Sequence, residues 1–262
     1  MLKSIYTPVT GANAQERVME IIANNLANVN TTGYKKDGVT FTLLEPEPYK
    51  NYKNPLPPAN YKQSLEDFMP LRGNEISYVG TAGVSRDWSQ GPAMRTDNST
   101  DVMIEGDGFL GVMTEEGMRL TRDGSLTMNS DGVLVTKAGH AVMGEKGDIL
   151  LSGGDFNING QGEIFQNGKL VDRLVVYSPK DPASLERVGM NYYFHGGEPE
   201  GLMVLENPSV RQGFLEGSNV NAIKDMTNMI MAHRFFEAYQ KTIANYDSMM
   251  DKSSNSIGTV RA

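Results

Sequence analysis

Gly106-Asp107-Gly108-Phe109-Leu110-Gly111 satisfies G-x-G-x-x-G behind an apolar run, the spacing that lets backbone approach a pyrophosphate in a dinucleotide site. That chemistry requires a helix to begin at once and aim its N-terminus at the phosphates. Phe109 to Met113 instead reads as another strand, ended by Glu115-Glu116-Gly117, so the glycines are read as a turn. Asn129-Ser130-Asp131-Gly132 has the wording of the middle of a calcium loop, but position one would be Thr127 and position twelve Ala138, and neither supplies a carboxylate. His140, His195 and His233 stand in separate contexts without metal-ligand spacing. His233 falls within a helical pattern, where packing or partial solvation is its ordinary fate.

No Gly-x-Ser-x-Gly elbow or Walker loop occurs, and the carboxylates are scattered among turns, where Asp serves its own backbone. The 262 residues include no cysteine, which excludes disulfides, zinc-thiolate sites and thiol nucleophiles. A net charge of -8 argues against a nucleic-acid surface, and Lys35-Lys36 is too short a basic cluster to reverse that. The reading is therefore no catalytic residue, no metal, no cofactor, no nucleic acid and no small-molecule substrate. A fold that brings distant carboxylates together is the enzymatic alternative.

The elements around these turns are unlike one another. Ile5, Val9, Ala12, Met19, Ile22, Leu26 and Val29 recur at steps of three, four or seven, predicting an amphipathic helix with one apolar stripe. Pro8 and Gly11 limit its start and weaken its first turns. Met226, Met229, Phe236, Tyr239, Ile243, Tyr246 and Met250 predict a second helix of about 30 residues, with one seven-residue gap across His233. Ser218-Asn219-Val220-Asn221 offers cap side chains, and Asp225 puts a negative charge near the helix start. Met226, Met229, Met231, Met249 and Met250 add flexible thioethers suited to irregular gaps. Between the helices, turn pairs such as Asp123-Gly124, Asp131-Gly132, Asn159-Gly160 and Asn167-Gly168 separate short β-branched runs. These runs include 101–104, 132–136 and 172–177, and the turn pairs follow no fixed repeat. Prolines 46, 48, 55, 57 and 58 among tyrosines predict an extended connector. The fold class is α+β: paired terminal helices with an inserted all-β body. Residues 1–40 are the N-terminal helix and signature, 41–80 the connector, 81–210 the body and 211–262 the C-terminal helix.

The run Ala23-Asn24-Asn25-Leu26-Ala27-Asn28-Val29-Asn30-Thr31-Thr32-Gly33-Tyr34 is the least helix-like part of the first helix, since Asn and Thr compete for backbone hydrogen bonds. Gly33 could cap the helix end in a left-handed conformation, but that leaves Asn24, Asn25 and Asn28 unexplained. The run resembles the N-terminal signature of the flagellar axial proteins of rod, hook and hook-filament junction, and every fixed position of that pattern is present. Gly213-Phe214-Leu215-Glu216-Gly217-Ser218-Asn219-Val220-Asn221 resembles the signature that precedes their C-terminal helix. In the body, Leu120 to Ser125, Gly132 to Thr136 and Gly139 to Gly144 are most similar to the proximal-rod branch, with the distal rod as near neighbour. Leu126 departs from the Phe that branch carries there.

The resemblance implies a structural subunit of the bacterial flagellar basal-body rod that polymerises through coiled terminal helices and transmits torque. The implied interaction residues are both apolar stripes together with Asn24, Asn25, Asn28, Gly33, Tyr34, Asn219 and Asn221, the amides of Asn24, Asn25 and Asn28 fixing register between subunits. The implied partners are the same chain, other rod subunits and the flagellar export apparatus. Residues 1–11 lack a basic n-region and an apolar h-region, and the family implies export without a cleaved leader to a rod spanning the periplasm. A cell-wall-cleaving rod-associated enzyme is the rival from another class.

Overall fold

A computed structural model describes residues 3–44, 78–189, 191–196 and 201–258. The expected connector falls mostly on 45–77, outside the described residues. The chain forms two compact units, one of residues 1–24, 38–85 and 223–262, the other of residues 25–37 and 86–222. The architecture is α+β, with helices at the two ends of the chain and an inserted β body.

The first unit holds helix α1 (Lys3–Ala27), whose last turn already belongs to the second unit, and helix α2 (Ala222–Gly258). It also holds a two-stranded ribbon of β1 (Asp37–Leu44) and β2 (Tyr78–Arg86). Helix α1 runs through Pro8 instead of starting after it. At that depth the missing N–H removes one bond of the ladder, which the rest of a 25-residue helix tolerates. Helix α2 is 37 residues long, more than the pattern predicted, and at 1.5 Å per residue measures about 55 Å. Its seven-residue gap is filled by buried Ala232, so Met229, Ala232, Phe236, Tyr239, Ile243, Tyr246 and Met250 alternate steps of three and four.

The second unit is a β body of short antiparallel strands. One sheet runs in the order β15 (Leu185–Val188), β16 (Tyr192–His195), β6 (Gly117–Thr121), β5 (Phe109–Thr114), β9 (Ala141–Gly144), β8 (Leu134–Thr136), β7 (Leu126–Met128). On it β10 (Gly147–Asp148) pairs with β9, β14 (Val176–Pro179) with β5, and β17 (Leu202–Val204) with β14. A three-stranded sheet joins β11 (Phe156–Ile158), β12 (Glu163–Gln166) and β13 (Lys169–Arg173). Two ribbons complete the body: β18 (Ser209–Gln212) on β4 (Val102–Glu105), and β19 (Phe214–Glu216) on β3 (Ala93–Arg95). The run expected as one strand over 172–177 is broken at Leu174 and Val175 between β13 and β14. The main core takes the inward residues of several strands, Val102, Leu110, Leu134, Val142, Ile164 and Val176 among them.

The turn pairs act as their residue types require. Asn167 and Gly168, both at positive φ, join β12 to β13 as a two-residue hairpin. The calcium-like Asn129 spends its Oδ1 on the N–H groups of Asp131 and Val133, and Asn159 makes the same pair of bonds to Gln161 and Glu163. These equivalent turns stand 30 residues apart, a correspondence hidden from the sequence because only Asn and a glycine three residues later are shared.

Candidate subunit interface and buried junction

Among the α1 stripe residues, Ala12 and Ile22 are buried and Ile5, Val9, Met19 and Leu26 half-buried. The covered face is wider than the stripe and takes in Gly11, Ala14 and Ile21. Gly11 faces Tyr239 so closely that a Cβ there would lie 2.6 Å from the ring Cζ. Small residues at this point let the two helices meet, which a count of large apolar side chains cannot register. On α2 the residues from Met229 to Met250 that alternate three and four are buried or half-buried, whereas Met226, expected among them, is exposed. Its angular position explains this: on a 3.6-residue helix Met226 lies nearer to Ile223 and Ile230 than to Ala232. Ile223, Met226 and Ile230 line one exposed side of α2 and Met231, Phe235 and Met249 another, together a second apolar surface that reaches 78% exposure at Ile223. Asn24 and Asn221 are exposed, and Asn28 and Val29 half-buried.

The Asn-rich run continues the helix only as far as Ala27. After Ala27 the chain unwinds through i→i+3 bonds, Asn28 N–H to Asn25 O at 3.1 Å and Thr31 N–H to Asn28 O at 3.1 Å. Asn25 was expected to fix register between subunits, but the structure spends it inside the chain. Its Nδ2 donates to Asp37 O at 2.8 Å, and its Oδ1 accepts from Tyr34 Oη and Asp37 N–H, each at 3.0 Å. Such a buried amide, 1% exposed, clamps the turn that follows the helix. Gly33 is left-handed at φ +67° and sits six residues past the helix end, so it does not cap the helix. It is pressed against the backbone of Arg122 and Asp123, where a Cβ has no room. Tyr34 is buried beneath Arg187, whose guanidinium carbon stands 4.5 Å from the ring centroid. Arg187 also pairs with Asp37 at 2.7 Å and donates to Lys35 O at 2.6 Å, while Arg86 closes on the other Asp37 oxygen at 3.0 Å.

Beside it, Lys35 is fully buried, its Nζ 2.6 Å from Glu216 Oε1 and 2.8 Å from Ser89 O. Burial pulls the Lys35 ammonium below its ordinary pKa, and the Glu216 carboxylate opposes that shift. Arg122 reaches Glu216 Oε2 at 3.4 Å and Gly106 O at 2.8 Å. Asn219 spans the same seam: its Oδ1 accepts from Lys36 N–H at 2.8 Å and its Nδ2 donates to Asp87 O at 2.9 Å. Glu216, Lys35, Arg122, Arg187, Asp37 and Arg86 were all missed as site residues. The available signals were that Glu216 is the single charged residue of the run 213–221 ahead of α2, and that Lys35 follows Gly33-Tyr34. Among the described residues no group of three or more His, Cys, Asp or Glu is placed to hold a metal ion. Gly106 and Gly108 lie in a turn leading into β5, which itself contains Gly111, with no helix start to receive a phosphate.

Three family models match the chain. One described as flagella basal body rod protein covers residues 5–35, one described as the flagellar hook protein FlgE/F/G D1 domain covers 103–166, and one described as flagellar basal body rod FlgEFG protein C-terminal covers 211–256. A flagellar basal-body rod protein FlgG of Borreliella burgdorferi is 32% identical over 275 residues, covering 97% of this chain and 98% of that protein. The chain belongs to the flagellar basal-body rod protein family. An FlgG of Agrobacterium fabrum is also 32% identical, over 95% of this chain and 97% of its own. An FlgF rod protein of Caulobacter vibrioides is 27% identical over 99% and 100%. This rod-family chain is thus a structural subunit of the flagellar basal body. The family match at 5–35 ends on Lys35 and the match at 211–256 begins just ahead of Glu216, so the buried Lys35–Glu216 pair joins the two matched ends.

Proposed function

We propose that this rod protein polymerises with copies of itself and with neighbouring rod subunits through α1 and α2, and that the resulting tube carries torque from motor to hook. The observation that carries this reading is the second apolar surface of α2. A helix that has already covered Ala232, Phe236, Tyr239 and Ile243 leaves Ile223, Ile230 and Phe235 more than half exposed. An apolar band of that extent on a long helix fits a partner helix better than water. Of the register residues Asn24, Asn25 and Asn28, Asn25 is the one buried within the chain, and Asn24 and Asn28 are kept in that role. The subunit acts without catalysis, reaches the periplasm-spanning rod through the flagellar export apparatus, and occupies the proximal rod. The wording of residues 120–125 and 139–144 supports that position.

The double variant Ile230→Asp, Phe235→Asp tests this reading. The purified monomer keeps its wild-type far-UV circular dichroism, because both positions are exposed, while incorporation into basal bodies and motility are lost. Motile cells carrying the double variant in their rods would sink the proposal, and antibody labelling of wild-type basal bodies away from the rod base would remove the proximal assignment.

A further inference from the structure

The Lys35, Glu216 and Arg122 side chains are 0%, 1% and 3% exposed, and they bring two cations to a single carboxylate. Glu216 Oε1 takes Lys35 Nζ at 2.6 Å and the Gly91 N–H at 2.9 Å, while Oε2 faces Arg122 Nη1 at 3.4 Å. The Glu216 backbone carbonyl accepts the Gly33 N–H at 2.8 Å. One residue thereby touches the strap of residues 28–36, the segment around Gly91 and the turn that carries Arg122. The strap has no strand partner before Asp37, so it is held on the body by these contacts instead of by a ladder. None of the three charged residues belongs to the main apolar core.

The charge count makes the site asymmetric. Removing Lys35 leaves one cation facing one carboxylate. Removing the Glu216 charge leaves two desolvated cations without the carboxylate that contacts both, Asp87 and Asp107 acting on them only from further away, and that is the costlier outcome. We propose that Glu216 is the bolt of a conformational latch: the strap of residues 28–36 and the return segment 213–220 stay docked on the body together through its carboxylate, and neutralising it releases both while the β core stays folded. Competing anchors exist, since Tyr34 lies beneath Arg187 and Thr32 donates to Asp123 Oδ1 at 2.7 Å. If these sufficed alone, the strap would outlast the loss of Glu216.

Hydrogen exchange on the full chain decides between them. In Glu216→Gln, exchange in 28–36, 89–92 and 213–220 accelerates on the order of a hundredfold, and β5 and β9 keep wild-type protection. Lys35→Met, which leaves a balanced Arg122–Glu216 pair, shows a smaller acceleration in the same segments. The proposal is overturned if Glu216→Gln frees only one of 28–36 and 213–220, or neither. It is equally overturned if β5 loses protection to the same degree, or if Lys35→Met matches or exceeds Glu216→Gln.

Discussion

Burial raises the pKa of Tyr34, Tyr177 and Tyr193 above the ordinary 10.0, and for Tyr34 and Tyr193 the Arg187 guanidinium opposes the shift by favouring the phenolate. The sign of the consequence follows from proton binding. Below pH 10 each phenol is protonated whether the body is folded or unfolded, and its contribution to stability is complete. Above pH 10 the unfolded chain loses its protons first, so stability falls as pH rises towards the folded values. Tyr34→Phe removes one of these three groups and should make that alkaline loss shallower in urea unfolding. At neutral pH it should cost about 1 kcal/mol for the lost bond to Asn25. An unchanged alkaline slope would show that Tyr34 titrates normally. At this scale little was legible beforehand. The Asn/Thr run announced that something must satisfy its polar side chains, but partners such as Asp37 for Asn25 and Asp123 for Thr32, the latter 91 residues away, are set by the closed fold.

The helices were legible as elements because their apolar period survives any tertiary context, and the hairpin turns because Asn-Gly and Asp-Gly prescribe backbone angles locally. The fine placement was not. Gly11 and Ala232 carry too little apolar surface to register in a periodic count, yet Gly11 is where Tyr239 packs and Ala232 completes the α2 face. That contact can be tested by a double-mutant cycle. Gly11→Ala alone should destabilise by about 1–2 kcal/mol, because the new methyl meets the Tyr239 ring. In a Tyr239→Ala background the same change should stabilise by up to about 1 kcal/mol, the ordinary helix preference of Ala over Gly. Equal effects in both backgrounds would remove Gly11–Tyr239 as a helix-pairing contact. Strand order resisted sequence reading for a related reason: β5 pairs with β6, β9 and β14, and alternation along a short strand does not name its neighbours.

At the scale of the whole molecule, the chain ends do two kinds of work. Residues 25–37 and 213–220 are folded into the β body by buried charges and amides, while α2 keeps an apolar surface uncovered. The family-matched ends therefore mix residues that complete the subunit, such as Asn25, Gly33, Tyr34 and Glu216, with residues left exposed on α2, such as Ile230 and Phe235. A motif read in one dimension merges those roles; burial separates them. Because the chain has no cysteine, Ile230→Cys places a single thiol on the uncovered face of α2. The most direct measurement is maleimide labelling of that thiol in the purified monomer and in isolated basal bodies. Burial between subunits predicts rapid labelling in the monomer and strong protection in the rod; equal labelling in both states would contradict assembly through this helix.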